Sequence, residues 1–199
     1  AAMVLVAGLG IWGMSDTNRA VGNLYNDRLQ PTQALASIGK LMADNRSQVL
    51  LSLQHDPAGP YASLHDHPLD FHIKQIDANV AEIALQWELY KKTVGAEEHR
   101  QMADAFDEAR KRYVVDGLIP AKEALLGGLF GEANLILLKR INPSYTVAAQ
   151  KASDLFKFQV QQGQAQLADS EQTFTSERLW ILLVVFLALA IGSAIAVGI

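Results

Sequence analysis

No cysteine occurs in this 199-residue chain, which removes disulfide frameworks, thiolate metal sites and cysteine nucleophiles together. Proline and glycine are scarce outside a few clusters, with 6 and 14 copies. That scarcity favours long uninterrupted helices over a sheet protein. Positive charge is not in excess either: 17 Lys and Arg stand against 21 Asp and Glu, for a net charge of −4. With no basic cluster, nucleic acid is not expected as a partner. The chain has no nucleophile–base pair, glycine-rich phosphate loop or helical pairing of carboxylates with histidine. No catalytic residue and no cofactor are therefore expected, and the chain does not read as an enzyme.

What is abundant is unevenly spread hydrophobicity. Residues 179–199, LWILLVVFLALAIGSAIAVGI, carry no charge. At about 1.5 Å per residue, a helix of that length spans roughly 30 Å, the thickness of a bilayer core. Residues 1–14, AAMVLVAGLGIWGM, are too short to span alone and read as the end of a truncated first span. Position 1 is an alanine inside an apolar run, so the chain is expected to be a segment of a longer protein. Trp12 leaves the first run and Trp180 enters the second, as interfacial tryptophans do when both lie at one membrane face. The expected organisation is a first transmembrane helix ending at 14, a loop domain at 15–178, and a second transmembrane helix at 179–199. Few Lys or Arg flank the spans on the domain side (Arg19, Arg28, Lys157 and Arg178), which fits the outside face.

The loop domain resolves into four amphipathic helices. Leu69, Ile73, Ile76, Val80, Ile83, Trp87, Tyr90 and Val94 follow a 4-3-4-3 spacing, the seam of a coiled-coil-like bundle. Leu35, Ile38, Met42, Asn45, Val49 and Ser52 give helix 1 the same seam, extendable back through Leu24 and Val21, with Pro31 kinking or breaking it. Helix 3 covers about 97–126, with Phe106, Ala109 and Tyr113 inward and Pro120 interrupting. Helix 4 starts near Gly131 and runs through Leu138, Ile141, Tyr145, Ala148, Ala152 and Leu155 into the second span. Breakers at 55–68, Gly95 and Gly127-Gly128 separate the helices. The fold class is all-α: an up-down-up-down four-helix bundle with flanking transmembrane helices.

LYNDRLQP at 24–31, ARKRYVVDGLIPAKEALLGG at 109–128 and NLILLKRINPSY at 134–145 carry a resemblance. The chain resembles, over its whole length, the periplasmic sensor region of methyl-accepting chemotaxis proteins of the aspartate-receptor type. The resemblance implies a transmembrane chemoreceptor in the bacterial inner membrane, a homodimer with helix 1 facing its twin, and a ligand bound near the membrane-distal end. The cytoplasmic signalling part lies outside this sequence. The same module also feeds histidine kinases and cyclases.

Ligand residues should break the apolar pattern. Asn45 occupies a seam position, where it either sets helix register or meets a ligand. Arg46 is the one arginine in the distal half of helix 1, placed where receptors of this family hold ligand carboxylates; the alternative is a solvated surface arginine. The further arginines of aspartate-type receptors are missing, which argues against aspartate itself. Arg110 and Tyr113, three apart, share a helix face, where guanidinium and phenol can grip a carboxylate together. Arg110, Lys111 and Arg112 can equally form a solvated charge run. The preferred assignment is a di- or tricarboxylate bound by Asn45, Arg46, Arg110 and Tyr113.

His55, His65, His67 and His72 lie close in sequence, with Asp56, Asp66 and Asp70 among them. A His-x-His pair plus a third histidine suits zinc or nickel, which would make the chain a membrane-anchored metal-binding bundle. Against this, no helix presents two of them at i, i+4, and loop histidines beside Asp and Pro commonly serve as caps. No metal site is therefore assigned.

Overall fold

The computed structural model describes residues 2–198, without the side chains at 2–7, 9, 177, 188, 191 and 194–198. Every regular element among the described residues is helical. In chain order they are α1 (Ala2–Leu24), α2 (Gln30–Ser52), α3 (Asp70–Lys91), α4 (Glu97–Arg112), α5 (Ile119–Leu126), α6 (Phe130–Ile136) and α7 (Asn142–Gly198). The chain divides into two compact units, one of residues 30–159 and one of 1–29 with 160–199.

The larger unit is a four-helix bundle of α2, α3, the α4–α5 rod and the rod formed by α6 with the start of α7. Consecutive rods are antiparallel neighbours joined by short connections, the longest being 56–69 between α2 and α3. The seams read from sequence are the core. Leu35, Ile38, Met42, Asn45, Val49 and Ser52 of α2 are all buried, as are Ile73, Ile76, Ile83, Trp87 and Tyr90 of α3. Leu69, Val80 and Val94 pack half-buried at its edge. Phe106, Ala109, Tyr113, Ile141, Ala148, Ala152 and Leu155 complete it.

Three prolines sit inside the rods, and none ends its helix. Each follows a π turn: Tyr25–Leu29 precedes Pro31, Tyr113–Leu118 precedes Pro120, and Leu137–Ile141 precedes Pro143. Proline cannot donate to the carbonyl four residues back and clashes with it. Asp27, Asp116 and Lys139, the residues at that offset, all lie in the widened turns, where the extra residue relieves the clash. The interruptions expected at Pro31 and Pro120 are thus bulges in continuous helices. One consequence corrects the helix 4 seam. The residue inserted by its π turn offsets the face before the turn from the one after it, so at its start Leu137 is buried while Leu138 is 57% exposed.

The two inner π turns meet. A Cβ added to Gly117 would lie 3.0 Å from Ile141 Cγ1, so only glycine lets the rods approach this closely. At the end of α5, Gly128 takes φ 73°, with Gly128 N–H bonded to Leu125 O and Leu129 N–H to Ala124 O. That is a Schellman stop, and it requires the left-handed conformation glycine adopts freely.

The smaller unit pairs α1 with the later part of α7. Arg28 Nε donates to Gln166 Oε1 at 3.3 Å within it. Val21 and Leu24, proposed to extend the helix 1 seam, are exposed. No helix among the described residues is long and apolar enough to cross a membrane. Parts of both apolar runs, at 1–7, 9, 188, 191 and 194–199, lie outside the described side chains.

Candidate functional site

At the loop end of the bundle, α2 finishes in a short 3-10 turn, Leu53–His55, and the chain loops back to α3 through residues 56–69. Asp56 folds the loop start by accepting from the Ala58 N–H through Oδ1 at 2.9 Å. The loop carries His65 and His67 onto His55 and onto His72 in the first turn of α3. The four imidazoles each offer a nitrogen, and these nitrogens all lie within 4.8 Å of one another. His55 stacks on His65 with ring centroids 3.7 Å apart.

Hydrogen bonds fix the tautomers of two of them. His72 Nδ1 is 2.7 Å from Gln48 Oε1, a carbonyl that can only accept, so Nδ1 carries the proton. Gln48 is held that way round because its amide nitrogen donates to Asp44 Oδ1, while Asn79 donates to Asp44 Oδ2 and Gln75 to Asn79. His67 Nδ1 is 2.7 Å from Asp66 Oδ1, another acceptor. In the neutral rings both Nε2 atoms are left as lone-pair sites, and they face each other at 3.0 Å. His55 Nε2 is buried with no partner. Burial, then the charges of His55, His67 and His65, pushes His72 down to about 4. Burial and its two neighbours likewise lower His55, and the His67 hydrogen bond lowers Asp66.

The sequence argument against a metal site was the lack of an i, i+4 histidine pair. The fold bypasses that requirement, because the loop supplies two rings and the ends of α2 and α3 supply the others. Gln48, Asp44 and Asn79, which orient His72, went unnoticed in the sequence. Their signal is polar spacing: Asp44 and Gln48 are four apart on α2, and His72, Gln75 and Asn79 lie at matching intervals on α3.

The residues expected to hold a carboxylate lie further along the bundle. Arg46 Nε donates to Asn142 Oδ1 at 2.7 Å, and its guanidinium carbon sits 5.5 Å from the Tyr145 ring centroid. Tyr145 in turn lies 5.9 Å, centroid to centroid, from Tyr113. Tyr113 is fully buried and donates its hydroxyl to Met42 O at 2.8 Å. Burial pushes its phenol well above the ordinary value. Asn45 is fully buried, and neither atom of its amide group has a partner. Arg46, Tyr113 and Tyr145 therefore form one cluster, with Asn45 adjoining Arg46 in the chain. Arg110 is set otherwise: it pairs with Asp107 at 2.6 Å and lies 5.9 Å from the Trp87 ring, while its Nε is buried without a partner. Burial opposes ionisation of Asp107, yet hydrogen bonds from Lys111 and Arg110 outweigh it and hold the carboxyl below its usual range.

A family model described as the Tar ligand binding domain homologue matches residues 1–163. No curated protein matches the chain in sequence.

Proposed function

Because the chain belongs to the family of Tar ligand-binding-domain homologues, we propose that it is the sensor region of a bacterial transmembrane chemoreceptor that binds a small di- or tricarboxylate. The family is one of receptor sensors, not of catalysts. The observation that carries the carboxylate reading is the posture of Arg46. Its Nε is gripped by Asn142 and its plane rests by Tyr145, so the side chain is already ordered. Its two terminal nitrogens remain available for a bidentate grip on a carboxylate. Tyr113, which packs against Tyr145, and Asn45, next to Arg46 in the chain, are the buried polar residues assigned to the same site. Arg110, paired with Asp107 beside Trp87, stands apart from this cluster.

Residues 1–14 and 179–199 act as membrane anchors in this proposal, with 15–178 on the periplasmic side of the inner membrane. Support comes from the uncharged run at 179–199 and from its described apolar side chains, which are exposed rather than packed in a core. The receptor works as a homodimer through helix 1, as receptors of this kind generally do. A ligand bound at Arg46 touches α2 and, through Asn142, the start of α7, the helix that runs on to Gly198. A small shift between two packed helices can carry the signal, because such packings switch between discrete arrangements.

Calorimetric titration of the full chain in mild detergent with a panel of organic acids tests the proposal. A di- or tricarboxylate should bind to wild type and be lost or weakened in Arg46→Ala. Binding only of neutral or cationic compounds overturns the carboxylate reading.

A further inference from the structure

We propose that the imidazoles of His55, His65, His67 and His72 form a binding site for one divalent transition-metal ion of the zinc, cobalt or nickel class. The inference does not depend on the carboxylate site at Arg46. Its foundation is the mismatch between His67 and His72. Each donates its Nδ1–H to a fixed acceptor, Asp66 and Gln48 respectively, and so each presents a lone pair at Nε2. Two lone pairs 3.0 Å apart repel unless a cation lies between them. A proton could bridge that one pair, but it would not account for the other two rings. His55 brings a buried, partnerless Nε2 to the same point, and His65 is stacked against it.

The donor set selects the ion. Neutral imidazole nitrogen suits zinc, cobalt, nickel and copper, while calcium and magnesium require oxygen. Zinc–nitrogen bonds of about 2.0–2.1 Å place tetrahedral ligand atoms about 3.3 Å apart. The present spacing, with all nitrogens inside 4.8 Å, reaches that geometry through small movements of the loop rings. Nδ1–H donation to a carboxylate or carbonyl is also how metal-bound histidines are ordinarily oriented. Here Asp66 and Gln48 provide it, and Gln48 is braced by Asp44.

The bound ion would join three pieces of chain: the end of α2, the 56–69 loop and the first turn of α3. It would pin the loop to the bundle and stiffen the α2–α3 hairpin. Through Gln48 and Asp44 its effect reaches the α2 turn that carries Asn45 and Arg46. Metal occupancy would thus set the rigidity of the end of the sensor that meets its surroundings.

The test uses the full chain without an affinity tag, stripped of metal and titrated with Zn2+, Co2+ and Ni2+. One ion should bind per chain, and Co2+ should develop the intense visible absorption of a low-coordinate nitrogen site. His67→Gln and His72→Gln should each weaken binding tenfold or more. Gln48→Leu keeps all four imidazoles but frees His72, and should weaken it by about ten- to a hundredfold. Helical circular dichroism of each variant reports folding. Should His72→Gln unfold, His65→Gln in the loop gives the same readout at a position outside the helices. The proposal is overturned if no ion binds at one per chain, or if folded variants at these positions bind as tightly as wild type.

Discussion

The Tyr113 hydroxyl donates to the main-chain oxygen of Met42 at 2.8 Å, a buried bond from the π turn after α4 to the middle of α2. Met42 lies one helical turn before Arg46, so this bond locks the backbone that presents the arginine. A buried neutral hydrogen bond contributes about 0.5–1.5 kcal/mol net. Tyr113→Phe should therefore lower unfolding free energy by about 1 kcal/mol in chemical denaturation. If Tyr113 only braces Arg46, the variant keeps most carboxylate affinity. If it touches ligand, affinity falls with it.

Asn45 should be worth more to function than to stability. Its amide group is fully buried with neither atom hydrogen-bonded, a burden of about 1–3 kcal/mol. Asn45→Leu is expected to raise the denaturation midpoint. A drop in the midpoint would contradict this and show that the buried amide contributes to stability in solution.

Acid should weaken the α4 face. The folded pKa of Asp107 is depressed relative to the unfolded chain, because hydrogen bonds from Lys111 and Arg110 overcome the burial that opposes ionisation. Its contribution is present above the unfolded carboxylate value and is lost as pH falls through the lower folded value. Asp107→Asn should flatten the stability profile across that window and leave Arg110 unpaired against Trp87. Denaturation at stepped pH, wild type against variant, measures the difference.

Gly117→Ala should destabilise the bundle by about 1–3 kcal/mol, the usual cost of forcing a methyl into a packed contact. The new Cβ would meet Ile141 Cγ1 at 3.0 Å, where the two inner π turns touch. Pairing it with Ile141→Ala, which removes Cγ1, should give a double variant less destabilised than the two single costs combined if this contact is the cause. Thermal melts of the single and double variants decide it.

The bundle was legible because its signal is periodic. A seam such as Ile73, Ile76, Ile83, Trp87 and Tyr90 announces both a helix and its buried face, and the fold confirms it. Proline was legible as a disturbance but not in its form. Whether Pro120 breaks a rod or follows a bulge depends on what lies across from it, and Gly117 against Ile141 is a tertiary fact. The same bulging hid the register before Pro143, where Leu137 rather than Leu138 turns inward. The histidine cluster was visible as composition and invisible as geometry. Loop path decides whether His65 and His67 reach His72, and no periodicity encodes a loop path. Arg46 and Arg110 looked alike in sequence, since each is an arginine beside an inward-facing seam. Their partners set them apart: Asn142 steadies one, and Asp107 neutralises the other.

The most direct measurement of the central claim is the dissociation constant of the best-bound organic acid for wild type, Arg46→Lys and Arg46→Ala. A charge-assisted hydrogen bond contributes about 1.5–3 kcal/mol, and 1.4 kcal/mol is tenfold in affinity. Arg46→Ala should therefore weaken binding by about tenfold or more. Arg46→Lys should fall between, keeping the charge but losing the planar fork and the Asn142 anchor. Equal affinities across the three proteins, with helical content unchanged, would contradict the claim and place the ligand elsewhere in the bundle.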